Sequence, residues 1–526
     1  MAHREIDAAS GERITYADLE ETCERIAAGF QDLGLQPGDT MAFISANSMD
    51  LVMAFIAAIF AGVKIACAKT TFNEREIEPV LNMTKPSVVF CDIFSAQKVR
   101  QACQGVTSVK VLVTTGDCDG MVNFAKLKDT PQSRFERAQN TSPGDIFTVF
   151  QSSGSTGLPK GVLITHRNFV AQLVTFGYKN AGVRNSKVFL LYLPVMHAGP
   201  FWLLFTMLTH HVELVLLAAS DLASVLLPIA KYKVNNVVLY PTHGHHIAQR
   251  GLPPSLDISS MRYVFIAGSS IPPQVMRALA NLFKDCKIVH GYGLTEGCCG
   301  VAYTRDTCYD FKTSGTPMPY VHIKVIDVDT GEKLNPGQYG EICIKGPACF
   351  QGYLGMPVAT AAAFDNEGFV KTGKHLISGL SLPFRGDTGY YTARGELYVL
   401  DRIKDLIKCK DLQVAPTELE ELLQEHPDVA QSAVTGVPHP EYGEAPRAFL
   451  VLNEEAGLAD EGSLKKKRQE ITEYIKGLVA DHKQLHGGVE FVDAIPQTET
   501  GKPHRRNLRD AYVLRNASFA VNGKPQ

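Results

Sequence analysis

The feature that most constrains the fold is an alternation, sustained to about Leu400, of short apolar β-branched runs with helical stretches. Ser87 to Phe90, Lys110 to Val113 and Asn236 to Leu239 have the length and composition of strands, and amphipathic segments separate them. Such a chain predicts an α/β architecture. Near the start, Thr15 and Asp18 stand at capping-box spacing ahead of Leu19, Ile26, Phe30 and Leu33, which share one helical face until Gly34 ends it. Gly340 to Lys345 and Glu396 to Leu400 are short and glycine-flanked, which predicts a more antiparallel region there.

With 526 residues the chain exceeds one ordinary hydrophobic core. After Leu400 its character changes to the charged segment Asp401 to Lys410, then a helix from Thr417 to Gln424. Strands around Ser432 to Val437 and Ala448 to Val451, a helix within Ser463 to Ala480 and a last strand Val489 to Val492 follow. The reading is a large N-terminal α/β domain with an antiparallel β region over 1–400, and a small α+β domain over 401–526.

Charge and hydropathy remove several classes. The net charge is −3, and the basic run Lys465 to Arg468 lies in a polar helical stretch, so it reads as a solvated face and no nucleic-acid partner is expected. The longest apolar stretch, Leu51 to Val63, is closed by Lys64 and falls short of the roughly 18 apolar residues of a membrane span. A buried helix is expected, and no integral membrane segment. Twelve cysteines at irregular spacings without a C-x-x-C pair, and no apolar leader, point to reduced thiols and a cytoplasmic location. The terminal residues Lys524-Pro525-Gln526 are not Ser-Lys-Leu, although a peroxisomal location stays open.

The sharpest local signal is the run Ser152-Ser153-Gly154-Ser155-Thr156-Gly157-Leu158-Pro159-Lys160-Gly161. Glycines let consecutive backbone N–H groups turn toward an anion, hydroxyls add donors, and Lys160 adds positive charge. A loop of this composition can cradle a polyphosphate. It is not a Walker motif, because no G-x-x-x-x-G-K-[ST] occurs and both flanks, Ile146 to Phe150 and Gly161 to Thr165, read as strands.

With the following Thr165-His166, this run resembles the phosphate loop of the adenylate-forming superfamily: acyl-CoA synthetases, insect luciferases and peptide-synthetase adenylation domains. Further segments resemble the other motifs of that superfamily, in order. His290-Gly291-Tyr292-Gly293-Leu294-Thr295-Glu296 is similar to the adenine and metal segment, and Gly340-Glu341-Ile342 to the strand after it. Asp401 to Lys408 resembles the hinge, and Thr500-Gly501-Lys502 the C-terminal lysine loop. The resemblance is nearest to coumarate-CoA ligases and luciferase-like ligases.

What the resemblance implies is an enzyme that joins a carboxylic acid to AMP and then to coenzyme A, with ATP and Mg²⁺. Both reacting partners are anionic, so the chemistry needs positioning and positive charge. By the resemblance, Ser152 to Gly157 and Lys160 hold the β- and γ-phosphates, Thr295 contacts the α-phosphate, and Glu296 holds Mg²⁺. Tyr292 lies against adenine, with Ala267, Gly268, Ser269 and Ser270 as the opposite wall. Asp387 and Arg402 match the ribose-binding positions. Lys502 matches the bridging cation of adenylation, and Lys408, Lys410 and Gln413 belong to the loop that serves thiol transfer. His197 matches the histidine that gates the pocket. Small residues at Gly199, Ala267, Cys299 and Gly300 leave room for an aryl or medium-chain fatty acid. His243, His245 and His246 form an H-x-H-H cluster, but no paired cysteine or acidic ligand lies near them in sequence, and no zinc is expected there.

Two other functions stay open. One is a luciferase-like adenylating oxygenase, against which Gly199 stands where luciferases carry an aromatic residue. The other is a degenerate nucleotide-binding protein without turnover. It is favoured by departures from the pattern: thirteen residues, Lys374 to Gly386, interrupt the T-G-D motif between Gly373 and Asp387, and Asp411 stands where glycine is usual. In addition, Pro503 follows Lys502 where a β-branched residue is usual, and Gln497 replaces a customary lysine.

Glycine in place of Asp411 would let the backbone approach pantetheine and reach positive φ, whereas aspartate brings a Cβ and a negative charge toward phosphate-bearing coenzyme A. Asp411→Gly is expected to speed thioester formation from preformed acyl-adenylate and to leave pyrophosphate release nearly unchanged. Equal thioesterification rates for the two proteins would contradict this.

Overall fold

The computed structural model describes the chain apart from residues 1–3, 9, 140, 153–159, 180–185, 220, 269–270, 305–309, 329, 373–385, 403–406, 410–411, 415, 454–459, 498–502 and 523–526. Its described residues form a large N-terminal α/β domain and a smaller C-terminal α+β domain.

Local chemistry explains the first elements. Thr15 caps the helix Tyr16–Asp32, its side chain accepting from the Asp18 amide, and the buried face of that helix carries Leu19, Ile26 and Phe30. The apolar stretch that follows becomes the helix Met49–Phe60, capped by Ser48. Most of its residues are buried all round, as a helix without a polar face requires. Among the described residues, no helix is long and apolar enough to cross a membrane.

Two large sheets organise the N-terminal domain. In an eight-stranded sheet, Thr40–Ile44, Lys64–Cys67, Val88–Cys91 and Val111–Thr114 run parallel, with Ile146–Ser152 beside Lys64–Cys67. The strand Ile146–Ser152 then turns back antiparallel into Lys160–Thr165, Ser152 standing opposite Lys160. In a nine-stranded sheet, Val188–Leu191, Glu213–Leu216, Asn236–Leu239, Tyr263–Ala267 and Lys287–Leu294 form the parallel centre. Cys299–Tyr303 folds back antiparallel along Lys287–Leu294. The antiparallel region expected near 340 is a five-stranded sheet in which Gly340–Lys345 pairs with His322–Ile326 and Asp387–Tyr391, and the latter pairs with Leu397–Arg402.

The chain enters its last sheet with Ile407–Cys409. There the strands Val429–His439 and Gly443–Leu452 form a longer hairpin than the apolar runs alone predict, with Val489–Phe491 parallel to its second arm. Helices Pro416–Gln424 and Glu461–Lys476 cover it through Leu419, Leu423, Ile471 and Ile475. A further helix, Arg505–Asn522, was not legible in sequence; among its described side chains, Leu508 and Tyr512 join the core cluster there.

One apolar cluster draws on both large sheets and the helices between them. At its centre Phe201, fully buried on the helix Ala198–Thr209, packs its ring against Phe55, Phe150 and Phe205 at 5.1, 5.2 and 4.9 Å between centroids. Phe150 lies on the strand that leads into Ser152, and Phe201 lies one helical turn beyond His197. The same ring therefore braces two segments that the sequence assigns to the site. Phe201→Ala is expected to cost about 3–5 kcal/mol of stability, read from chemical unfolding, because the surrounding rings cannot close the space. A loss below about 1 kcal/mol would show that the cluster repacks around the vacancy.

Candidate functional site

The antiparallel pair Ile146–Ser152 and Lys160–Thr165 delivers both ends of the glycine and hydroxyl loop to one place. Ser152 and Lys160 face each other across the ladder, and both are buried. The Ser152 hydroxyl is shielded from solvent and has no hydrogen-bond partner among the described residues. A buried hydroxyl without a partner is costly, so it marks a position where an outside acceptor would fit. Ser153, Gly154, Ser155, Thr156 and Gly157 lie outside the described residues.

The strand Lys287–Leu294 carries the second group of candidates. Its hairpin with Cys299–Tyr303 is so tight that a Cβ on Gly293 would lie 1.7 Å from the Cys299 carbonyl oxygen, so only glycine fits. Between the two strands, Thr295 and Glu296 occupy a short 3₁₀ turn, and the backbone is then reversed by Cys298 and Cys299 at φ of 52° and 93°. Positive φ at two consecutive side-chain-bearing residues is the kind of strain that collects at functional sites. Burial pushes the Cys299 thiol up to about 12 and that of Cys298 well above the usual thiol range, which disfavours their thiolates.

Glu296 is buried, and its carboxylate accepts a hydrogen bond of 3.0 Å from the Tyr353 hydroxyl. The Tyr353 ring lies 5.0 Å from the Lys160 ammonium. The cation at the end of the loop and the acid of the second motif, 136 residues apart in sequence (296 − 160), thus meet on the two ends of one side chain. Tyr353 was missed in sequence. The signal was a glycine-bracketed Gly352-Tyr353-Leu354-Gly355, which by itself reads as a turn with a core aromatic.

Tyr292 and Asp387 also meet. The Tyr292 hydroxyl donates to the Asp387 carboxylate at 2.6 Å, and Asp387 stands opposite Arg402 across the ladder. Ala267 ends the neighbouring parallel strand opposite Gly291, and Gly268 follows at φ 99° with open space beside it. Ser269 and Ser270 lie outside the described residues, as do Lys410, Asp411 and Lys502. At Arg402, Lys408 and Gln413 only the backbone is described.

His197 precedes the helix Ala198–Thr209, its carbonyl accepting from Phe201. Gly199 has one near neighbour, Cys299 Sγ, at 3.5 Å from where a Cβ would sit. Gly300 corrects the sequence reading: its missing Cβ does not open space, because that Cβ would lie 2.8 Å from Met318 Sδ and 3.0 Å from Gln172 Nε2. The glycine there is a packing requirement. His243 of the histidine cluster is buried and its Nδ1 bonds the Tyr192 hydroxyl at 2.9 Å, while burial pushes His245 down to about 4.

The thirteen-residue interruption separates Asp387 from its lead-in only along the chain. The strand Val370–Lys371 pairs with Gly340–Lys345, and the next residue, Thr372, accepts from the Asp387 amide at 3.0 Å. The Thr372 hydroxyl donates in turn to the Ile342 carbonyl at 2.7 Å. A threonine side chain that accepts from the amide two residues ahead forms a local turn. That is the relation Thr372 and Asp387 would have if Gly373 joined them directly.

Comparison with known proteins places this geometry in context. Residues 2–354 match the family model described as AMP-binding enzyme, and 418–502 match the AMP-binding enzyme C-terminal domain. The chain is 31% identical to luciferin 4-monooxygenase of Nipponoluciola cruciata, over 96% of this chain and 90% of that one. It is 30% identical to 4-coumarate--CoA ligase 2 of Nicotiana tabacum, again over 96% and 90%. Among solved structures, the Mycobacterium tuberculosis fatty acyl CoA synthetase is similar at 25% identity with a TM-score of 0.73, covering 98% of this chain and 96% of that chain.

Because Thr372 already contacts Asp387, excision of Lys374 to Gly386 is expected to leave a folded protein whose ATP affinity, measured by calorimetry, equals that of the parent. Thr372→Val, which removes both bonds, is expected to weaken ATP binding roughly threefold to tenfold. Markedly tighter binding after excision would mean that the insert obstructs the site.

Proposed function

The chain belongs to the family of AMP-binding enzymes, and from that premise we propose that it activates an aryl or medium-chain carboxylic acid with ATP and transfers the acyl group to coenzyme A. The single observation that carries the reading is the bridge from Lys160 through Tyr353 to Glu296, which puts a cation and a carboxylate beside the loop suited to polyphosphate. In the first step a carboxylate oxygen attacks the α-phosphorus of ATP and pyrophosphate leaves. In the second the thiol sulfur attacks the acyl carbon, its proton is lost to solvent, and the C–O bond to AMP breaks.

Ser152 to Gly157 and Lys160 would hold the β- and γ-phosphates. The buried, unpartnered Ser152 hydroxyl supports that assignment, since a phosphate oxygen would satisfy it. Thr295 would contact the α-phosphate. Glu296 suits Mg²⁺, a hard cation that prefers carboxylate oxygen and, when bound, neutralises phosphate charge. Tyr292 would lie against adenine, opposite Ala267, Gly268 and Ser269. Asp387, already held by Tyr292 and Thr372, would take the ribose with Arg402. His197 would gate the acid and the thiol. Lys502 would bridge the reacting groups in the first step, and Lys408, Lys410 and Gln413 would serve the second. The small domain would move about a boundary near Asp401.

The relatives include both an oxygenase and a CoA ligase at nearly the same identity. Adenylation is the chemistry this proposal shares between them, and transfer to coenzyme A is its further step.

The test is exchange of labelled pyrophosphate into ATP across a panel of aryl and medium-chain acids, followed by assay for the thioester. Acid-dependent exchange and CoA-dependent thioester are expected. Exchange without thioester would favour the oxygenase reading, and no exchange with any acid would leave a nucleotide-binding protein. Lys502→Ala is expected to lower exchange by roughly 10² to 10³, the usual cost of losing a transition-state donor, while thiolysis of supplied acyl-adenylate survives. Unchanged exchange would remove Lys502 from the mechanism.

A further inference from the structure

Glu296 lies in a turn between two strands of the nine-stranded sheet, Lys160 in a strand of the eight-stranded sheet, and neither side chain is rigid in itself. A glutamate or lysine loses up to about 2 kcal/mol of rotamer freedom when fixed, so a site that needs both in place requires something to hold them. The 3₁₀ turn Thr295–Gly297 positions only the backbone of Glu296, and the strand Lys160–Thr165 only that of Lys160.

We propose that Tyr353 is the positioning residue that sets these two charges relative to each other: its hydroxyl orients the Glu296 carboxylate for a divalent cation, and its ring holds the Lys160 ammonium on the phosphate side. The proposal rests on the assignment of Glu296 to Mg²⁺ made above. Tyr353 itself is buried and pinned at several points. It stands opposite Val162 in a short antiparallel pairing, and the next residue, Leu354, donates its amide to the Gly161 carbonyl at 2.8 Å. Its own amide donates to the Thr360 hydroxyl at 2.9 Å. On the other side, the Phe350 amide donates to the Glu296 carbonyl at 2.9 Å, and the Phe350 ring packs 5.0 Å from that of Tyr353. One five-residue segment (350–354) thus grips the backbone of Glu296 and that of Gly161 and Val162, beside Lys160, and its tyrosine touches both side chains.

The chemistry of the contact suits the role. A phenol has one proton to donate, and here it goes to the Glu296 carboxylate. The bond occupies Oε1 of Glu296, and Oε2 would be the oxygen offered to a cation. On the ring face, attraction of an ammonium to the π-electrons fixes Lys160 without neutralising it, as an ion pair with Glu296 would. The lysine keeps its charge for an incoming phosphate.

A buried tyrosine that merely satisfies its hydroxyl would stabilise the fold and do nothing else. The two roles separate in Tyr353→Phe, which keeps the ring and removes the hydroxyl. Calorimetric titration of the full chain with ATP, with and without Mg²⁺, reads the difference without relying on turnover. With the positioning role, ATP binding in the absence of Mg²⁺ is unchanged, while the Mg²⁺ concentration that half-saturates the ATP complex rises roughly tenfold, the cost of a lost hydrogen bond to a charged group. In a Glu296→Gln background the same substitution then adds nothing further, since Tyr353 acts through that carboxylate. An unchanged Mg²⁺ requirement, or an equal shift in both backgrounds, overturns the proposal. Failure of the adenylation reading would appear separately, as absence of acid-dependent exchange in the parent protein, because the Mg²⁺ titration needs no acid.

Discussion

Two sheets that share no strand must present their loops within hydrogen-bond reach of each other, and the segment 350–354 is what ties them there. Its Gly352–Tyr353 strand extends the eight-stranded sheet at Leu163 and Val162, while its Phe350 amide holds the Glu296 carbonyl at the end of a strand of the nine-stranded sheet. Apolar packing around Phe201 brings the sheets together but is non-directional, and by itself sets no distance between particular polar groups. Hydrogen bonds do set such distances. The combination accounts for a site that is assembled from strands far apart in sequence and still holds Lys160 and Glu296 on one side chain.

A second set of ties works on the other side of the same turn. Tyr292, three residues before Thr295, donates to Asp387, which is held at its amide by Thr372. Thr372 in turn bonds Ile342 of the strand Gly340–Lys345. The antiparallel five-stranded sheet is thereby coupled to the nine-stranded one through side chains. Since both flanks of the insertion are fixed by these bonds, the thirteen added residues impose little on the position of Asp387; the entropic cost of a longer loop grows only slowly with its length.

Much of this was legible in the residues. Local patterns announced local structure: the cap at Thr15, the apolar stretch that became the helix Met49–Phe60, the paired strands on either side of the glycine and hydroxyl run, and the short strand Gly340–Lys345. Motif order disclosed the family. Contacts between distant segments were not legible. Nothing in Gly352-Tyr353 says that its hydroxyl meets Glu296, and nothing in Tyr292 says that it meets Asp387 across 95 residues. Gly300 is the opposite case, where a small residue read as room for a substrate is room already taken by Met318 and Gln172. The helix Arg505–Asn522 escaped because few of its described apolar side chains, Leu508 and Tyr512, join the core.

In the proposed first step a carboxylate oxygen of the acid becomes bonded to the α-phosphorus of ATP. The most direct measurement is to supply the acid with heavy oxygen in its carboxylate, in the presence of ATP, Mg²⁺ and coenzyme A, and to weigh the nucleotide product. Attack by the carboxylate places one of its oxygens on the phosphorus, and that oxygen stays there when the thiol displaces the acyl group. AMP carrying a single heavy oxygen and unlabelled pyrophosphate are expected. AMP without label, or label in inorganic phosphate, would contradict that first step.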